Sequence, residues 1–290
     1  MLNYIYVIIT SVLVGFVTMA EKLWQRKTYG AEYSQYVFLT VMSFCSMIIF
    51  FIMSGFNIYV NPVTLAYSFI YAILALVSVK LSLSAMAHMN LILYSTFYKG
   101  SPMPVWIFGI LFFHDSLKIN DLISALLITA SIIVPLFEMR NGKSDFKGYI
   151  IGILLTLSNA LSVIILKFYA ASLSKMPDSI MCLYTNVFLL AFLLAKFLLS
   201  QEKQKYISTL LGTKKILFII PLSTLSNNLS TLLQMHILKS MELSLFSLIS
   251  SAAGCIILFI NSKVIFKEHC SKSDFISFLL STAAIAATLI

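Results

Sequence analysis

The chain has 290 residues, of which 60% are hydrophobic and only 11% are charged. Soluble domains are about a quarter charged, so this composition excludes water as the main solvent and leaves no room for a sizeable soluble domain. The net charge of +9 comes from basic residues at the ends of apolar segments, which is a membrane-orientation pattern and excludes a nucleic-acid-binding face.

Apolar runs of about 20 residues, the length that spans a bilayer as a helix, recur along the whole chain. The first run has full spanning length and no preceding Lys or Arg, so we interpret it as a membrane helix and not as a signal peptide. Breaks at charge clusters, Pro, Gly and Asn predict an all-α polytopic membrane protein with ten spans, at 3–21, 34–54, 62–83, 89–113, 120–138, 148–170, 179–200, 216–238, 243–263 and 273–290.

The two halves of the chain resemble each other in sequence. Leu111 to Asp115 aligns with Val264 to Glu268, and seven identities follow at the same offset, including Ser124 with Ser277. Tyr4 to Lys22 can also be laid over Tyr149 to Lys167. We therefore expect two five-helix repeats, 1–140 and 147–290. Because five is odd, the second repeat would enter the bilayer from the opposite side, so the repeats would be inverted.

This arrangement resembles the drug/metabolite transporter superfamily, in particular the ten-helix exporters built from two EamA-type repeats. The resemblance rests on the five-plus-five layout, on Gly100-Ser101-Pro102-Met103-Pro104 in the fourth span, and on the acidic residues that end the fourth and ninth spans. It implies a secondary transporter, such as a metabolite exporter, in the bacterial inner membrane. Two features depart from the family's pattern: the ninth span has Cys255 at the position that aligns with Pro102, and the fourth span ends on Asp115 where a glutamate is usual. They leave the identity of the cargo open.

Lys99 is the first candidate for a substrate-binding residue, because an ammonium group in the middle of a span is costly unless it faces a wet cavity or a partner. Tyr98 is its neighbour, and Pro102 and Pro104 should kink the helix and free backbone carbonyls for a cavity. In a cavity, Lys99 could bind a carboxylate or phosphate. A helix shifted by a turn would instead let it snorkel to the interface.

Polar residues in other spans are further candidates for substrate binding. Asn159 lies in the middle of the sixth span, and Asn227 and Gln234 belong to a polar stripe of the eighth span, which interhelical packing would explain equally well. Lys80 lies near the end of the third span, where snorkelling and cavity lining are equally expected. Glu21 lies at the edge of the first span, so the sequence does not support the proton exchange of small multidrug carriers, which uses a central glutamate.

Taken together, these patterns predict a secondary transporter that moves a small polar metabolite, amino-acid-like or anionic, by alternating access. The alternative is a flippase for a lipid-linked sugar or another amphipathic cargo. The expected partners are a small-molecule substrate and the lipid bilayer, with a homodimer left open and no nucleic acid. We expect no metal, no cofactor and no enzyme activity, because neither metal-ligand spacing nor a catalytic motif is found.

The orientation of the chain is predicted by its basic residues. Loops after the first, fifth, seventh and ninth spans hold 13 Lys and Arg residues, against 4 after the second, fourth, sixth and eighth. The positive-inside rule then places both termini outside, whereas the resemblance implies cytoplasmic termini.

Overall fold

The computed structural model describes residues 2–28, 32–89, 91–98, 100–116, 119–139, 146–172, 177–201, 203–212, 218–268 and 271–289. These residues form α-helices joined by short connections, with no strand among them. The helices are α1 (Leu2–Thr28), α2 (Glu32–Met53), α3 (Pro62–His88), α4 (Leu91–Tyr98), α5 (Pro102–Phe113), α6 (Ile119–Met139), α7 (Phe146–Ser172), α8 (Asp178–Leu199), α9 (Lys203–Gly212), α10 (Ile219–Leu238), α11 (Leu243–Ile260) and α12 (Lys272–Leu289). A π-helical turn, Asn261–Ile265, continues α11.

Within the described ranges, six helices are long and apolar enough to cross a membrane, as expected of an integral membrane protein. Large apolar side chains on these helices, such as Ile8, Val12, Phe69 and Ile73, point outward and are exposed. An apolar exterior of this kind is suited to lipid and not to water. The six segments are Asn3–Lys27, Ser34–Met53, Pro62–His88, Phe146–Ser172, Asp178–Leu199 and Leu243–Ile265.

The first helix extends further than the hydropathy of the sequence predicts. Its predicted end is residue 21, but α1 continues to Thr28. The reason is that its polar residues find partners inside the protein. The Lys22 ammonium donates to the carbonyl of Met86 at 3.0 Å, and the Gln25 amide donates to the carbonyl of Leu83 at 2.6 Å. Lys22 is therefore a buried helix residue and not the loop residue that the orientation count assumed.

The fourth predicted span is divided into α4, which ends at Tyr98, and α5, which begins at Pro102. Proline suits the first position of a helix because its missing N–H would have no partner there. A further difference from the prediction is α9, which forms within the segment expected to be the 201–215 loop.

Several pairs of packed helices run antiparallel through the bundle, whereas α1 and α11 run parallel, since Ser11 contacts Ser250 and Gly15 contacts Asn261. Asn3, at the start of α1, donates to the Ser240 hydroxyl just after α10, and the Tyr6 ring contacts His236 near the end of α10. α1 therefore lies along α10 with the opposite direction. α3 packs on α7, α2 on α8, and α6 on α12. α6 and α12 are also antiparallel, because Ser124 contacts Ala284 and Ser131 contacts Ser277.

Several contacts occur twice, at positions that the sequence duplication aligns. The Ser124 hydroxyl of α6 donates to the carbonyl of Ala284 in α12 at 2.7 Å, and the Ser277 hydroxyl of α12 donates to the carbonyl of Ser131 in α6 at 2.8 Å. Ser124 aligns with Ser277, and Ser131 aligns with Ala284. The packing of α6 on α12 is therefore reciprocal.

A second reciprocal pair joins the first helix of each half to the fourth segment of the other half. The Ser11 hydroxyl donates to the carbonyl of Ser250 at 3.3 Å, and the Thr156 hydroxyl donates to the carbonyl of Phe97 at 2.7 Å. Ser11 aligns with Thr156 in the overlay of Tyr4 to Lys22 on Tyr149 to Lys167.

Candidate functional site

A cavity of about 230 Å³ lies inside the bundle, between α1, α2, α3, the end of α4, α7, α8, α10 and α11. It is smaller than the pockets of about 300–1,000 Å³ that hold drug-sized ligands, so its size suits a small solute. Its wall combines apolar residues with many hydroxyl and amide groups, which is unusual inside a bundle with an apolar exterior. The polar lining residues include Glu21, Ser78, Ser82, Tyr98, Ser101, Asn159, Ser162, Thr185, Asn186, Asn227, Asn228, Thr231, Gln234, Ser247, Ser250 and Ser251.

Four of the residues predicted to bind substrate line this cavity: Tyr98, Asn159, Asn227 and Gln234. The Asn159 amide donates to the carbonyl of Tyr98 at 3.1 Å, which occupies a carbonyl at the end of α4. Gln234 donates to the hydroxyl of Ser230 at 3.2 Å. The Asn227 side chain makes no hydrogen bond to a described residue, so its amide is free to bind a solute.

Asn228, the neighbour of Asn227, also faces the cavity and is only 2% exposed. Its side-chain oxygen accepts a hydrogen bond from the Ser46 hydroxyl at 2.9 Å. Its Nδ2 has no hydrogen-bond partner among the described residues. A buried amide donor without a partner costs free energy, of about 1–3 kcal/mol, unless water or a ligand accepts from it. Asn228 therefore points to an occupant of the cavity.

Glu21 is the site residue that sequence reasoning missed. Its side chain is 6% exposed and lines the cavity. One carboxylate oxygen accepts a hydrogen bond from Ser82 at 3.2 Å, and Ser82 is hydrogen-bonded to the Tyr94 hydroxyl at 2.8 Å. Among the described residues, no cation forms an ion pair with Glu21. The sequence placed Glu21 at a membrane edge only because the helix was expected to end there.

Two of the predicted binding residues do not belong to the described cavity wall. Lys80 is exposed and does not line it. Ser78 and Ser82 of the same helix line the cavity, and two residues in an α-helix correspond to about 200°, so Lys80 faces away. Lys99 lies outside the described residues. Pro102 and Pro104 both lie in the first turn of α5, and Ser101, which precedes Pro102, lines the cavity.

A cluster of charged and polar groups, here called the Glu268 cluster, lies beside one end of the cavity. It comprises Lys22, Arg26, Ser262, Glu268 and the backbone N–H of Leu91. Glu268 Oε1 accepts from Arg26 at 2.9 Å and lies 3.8 Å from the Lys22 ammonium. Glu268 Oε2 accepts from the Leu91 N–H at 2.8 Å and from the Ser262 hydroxyl at 2.9 Å. In the sequence Glu268 is the acidic residue that ends the ninth span, and in the structure its two carboxylate oxygens contact four groups.

A second cluster, here called the Asp115 cluster, comprises Asp115, Lys167, the carbonyls of Leu238 and Met241, and the N–H of Ser244. Lys167 donates to the two carbonyls at 2.7 and 2.9 Å. Asp115 accepts from the Ser244 N–H, at the start of α11, at 2.9 Å.

The two clusters lie at opposite ends of the bundle. Asn3 contacts Ser240, which is next to Met241 of the Asp115 cluster. Lys22 is 19 residues further along α1, and a helix rises 1.5 Å per residue, so about 28 Å separates the two ends. That distance is close to the thickness of the hydrocarbon core of a bilayer, about 30 Å.

Comparison with known proteins gives information on the fold alone. Solved structures share this fold, and one of them is a crystal structure that can be compared over nearly the whole chain. That crystal structure matches 97% of this chain and 94% of its own chain with a TM-score of 0.65, at 16% sequence identity. No protein-family model matches the sequence, and no curated protein matches it. The resemblance to EamA-type transporters therefore stays a prediction.

Proposed function

We propose that this chain is a secondary transporter that moves a small polar metabolite across a membrane by alternating access. The observation that carries the proposal is the polar cavity inside a bundle whose exterior is apolar. A polar wall in such a bundle is costly unless it accommodates a polar occupant. Two groups show this cost most clearly among the described residues: the Asn228 amide, whose Nδ2 has no hydrogen-bond partner, and the Glu21 carboxyl group, which accepts from Ser82 but forms no ion pair.

The transporter that we propose is built from two inverted five-helix repeats, 1–140 and 147–290. The reciprocal hydrogen bonds of Ser124 and Ser277, and of Ser11 and Thr156, support this division. Two copies related by a two-fold axis make each of their contacts twice, with the roles of the copies exchanged. Inverted repeats allow two conformations that open to opposite sides around one site.

The cargo that we propose carries an ammonium group. Glu21 is the only ionisable carboxyl group among the described lining residues, and none of these residues is cationic. An ammonium group beside Glu21 would supply the countercharge that the protein does not provide there. Asn227 and Asn228 offer hydrogen bonds to acceptor groups elsewhere in the cavity. Of the classes predicted from the sequence, this favours an amino-acid-like solute over a simple anion.

The test is transport into proteoliposomes that contain the purified protein, with a panel of labelled amino acids, amines, sugar phosphates and one fluorescent lipid-linked sugar. We expect uptake of an ammonium-bearing solute and a loss of it in Asn227→Leu. The matched control is Asn57→Leu, since Asn57 is exposed outside the cavity. Movement of the lipid-linked sugar alone would favour the flippase instead. If no member of the panel moves, the carrier proposal is wrong.

A further inference from the structure

We propose that the Glu268 cluster and the Asp115 cluster are two gates, one at each end of the cavity, that close alternately. This inference rests on the proposed function, because gates matter only to a cavity that opens to both sides. The structure would then represent the state in which the Glu268 gate is closed.

Each cluster connects the two halves of the chain. Glu268 belongs to the second half, and Arg26, Lys22 and the Leu91 N–H that contact it belong to the first. Asp115 belongs to the first half, and the Ser244 N–H that contacts it belongs to the second. Any movement of one half relative to the other must therefore stretch or shorten these contacts.

The clusters are built from positions that the sequence duplication aligns. Lys22 aligns with Lys167, and each ammonium group binds two backbone carbonyls three residues apart: Met86 and Met89 for the first, Leu238 and Met241 for the second. Asp115 and Glu268 also align. Asp115 accepts from the N–H of Ser244, the second residue of α11, and Glu268 accepts from the N–H of Leu91, the first residue of α4.

The backbone geometry around the two carboxylates is also the same. His114 and Lys267, which precede them, have φ angles of 54° and 50°. The N–H of Asp115 donates to the carbonyl of Gly109, and the N–H of Glu268 donates to the carbonyl of Ser262, six residues earlier in both cases. Two ends that share this construction are suited to do the same task in turn.

The two ends differ in how far their contacts are formed. Lys22 is 6% exposed and lies within 3.8 Å of Glu268, and Arg26 adds an ion pair at 2.9 Å. Among the described residues, Lys167 forms no ion pair with Asp115, and its side chain is only half-buried. At the Asp115 end the described halves are joined instead by neutral donors, the Ser244 N–H on Asp115 and the Ser116 hydroxyl, which donates to Glu242 at 3.0 Å. An ion pair between lysine and carboxylate that is formed at one end only is what alternating gates require of a single conformation.

The cavity reaches both clusters. Glu21, which precedes Lys22, lines one end, and Leu166, which precedes Lys167, lines the other. A rigid rotation of one half by about 15°, the size seen between rotating protein subunits, moves a point about 14 Å from the axis by about 4 Å. A displacement of that size breaks a hydrogen bond of 2.9 Å at one end and lets the ion pair form at the other.

One sequence difference provides a way to shift the balance between the gates. Arg26 lies four residues after Lys22, and the residue four after Lys167 is Ala171, which is exposed. Among the described residues, the Asp115 end therefore has no counterpart of the Arg26 guanidinium, which forms an ion pair with Glu268. Ala171→Arg would supply it and should favour closure of the Asp115 end, whereas the uncharged Ala171→Gln should not.

The experiment measures two distances by pulsed electron spin resonance on protein in lipid nanodiscs, after replacement of the four cysteines by alanine. One pair of spin labels, at Lys27 and Lys263, spans the two halves at the Glu268 end. The other, at Asn57 and Ser240, spans them at the Asp115 end. All four residues are exposed in the structure. Size-exclusion profiles confirm that each variant is folded.

We expect Glu268→Gln to lengthen the distance at the Glu268 end by about 4 Å and to shorten the distance at the Asp115 end. Ala171→Arg should give the same pair of shifts, whereas Asp115→Asn and Ala171→Gln should leave both distances near those of the wild type. Lengthening at one end without shortening at the other in Glu268→Gln, or no shift in either distance, would overturn the inference.

The same variants separate this inference from the proposed function. If the distances are unchanged and transport persists, the gates are wrong and the carrier proposal stands. If both distances shift as expected but no solute of the panel is transported, the two-state movement stands without the carrier function.

Discussion

Replacing Glu21 by glutamine would remove the ionisable carboxyl group from the described cavity wall and leave the shape of the cavity almost unchanged. The amide oxygen of glutamine still accepts the hydrogen bond of Ser82, which lies 3.2 Å from the carboxylate. Lys22 should not be disturbed, because its ammonium group is held by the carbonyls of Met86 and Met89. The variant therefore tests the carboxyl group of one residue.

The expected effect is a loss of affinity for an ammonium-bearing solute. A hydrogen bond that involves a charged group contributes about 1.5–3 kcal/mol. At 1.4 kcal/mol per tenfold change in affinity, Glu21→Gln should weaken binding by about 10- to 150-fold. The hydroxyl analogue of the same solute, which has no ammonium group, should bind the variant as it binds the wild type. Glu21→Asp keeps the charge and should fall between the two.

The assay is equilibrium binding of the panel's best ammonium-bearing solute to detergent-solubilised protein, alongside its uptake into proteoliposomes. Asp178→Asn is the matched control, because Asp178 is paired with Lys239 and does not line the cavity. Equal affinity of Glu21→Gln and wild type for the ammonium-bearing solute would refute the role of Glu21. An equal loss for the hydroxyl analogue would also refute it, since the defect would then be structural.

Three further predictions follow from the packing and orientation of the helices. Gly152→Ala would place a Cβ 2.6 Å from the buried Phe97 ring and should lower the free energy of unfolding in detergent by about 1–3 kcal/mol. In Gly148→Ala the Cβ would lie 3.1 Å from its nearest neighbour, so the loss should be smaller. Equal losses in the two variants would contradict this packing. Ser124→Ala and Ser277→Ala should destabilise the protein by similar amounts, about 0.6–2 kcal/mol each, and unequal losses would count against reciprocal packing. A reporter fused to either terminus should be active outside the cytoplasm, and cytoplasmic activity would show that the positive-inside rule fails here.

Much of the fold could be predicted from the sequence because lipid imposes one simple requirement. Every spanning segment must be apolar and must satisfy its own backbone hydrogen bonds, so helix positions can be read from hydropathy. This argument gave all-helical structure and located most helices within a few residues. The argument did not predict that α1 continues to Thr28, because hydropathy cannot show that Lys22 and Gln25 have carbonyl partners in another helix.

The cavity was predicted in part. Tyr98, Asn159, Asn227 and Gln234 were selected because polar residues in the middle of a span should turn inward, and all four line the cavity. For Lys80 the sequence left snorkelling and cavity lining equally expected, because its position in the span alone does not reveal which face of the helix it occupies, and the structure places it outside the cavity wall.

The sequence by itself determined the helical class, the positions of most helices and the resemblance between its two halves, since these depend on composition, periodicity and similarity along the chain. Only the tertiary structure decided that Glu21 lines the cavity and that Asn228 Nδ2 has no hydrogen-bond partner among the described residues. The contacts of Glu268 with residues of the first half were also visible only there. The physical reason is that these features depend on contacts between residues far apart in sequence, and neither hydropathy nor helical periodicity carries information about which distant groups meet.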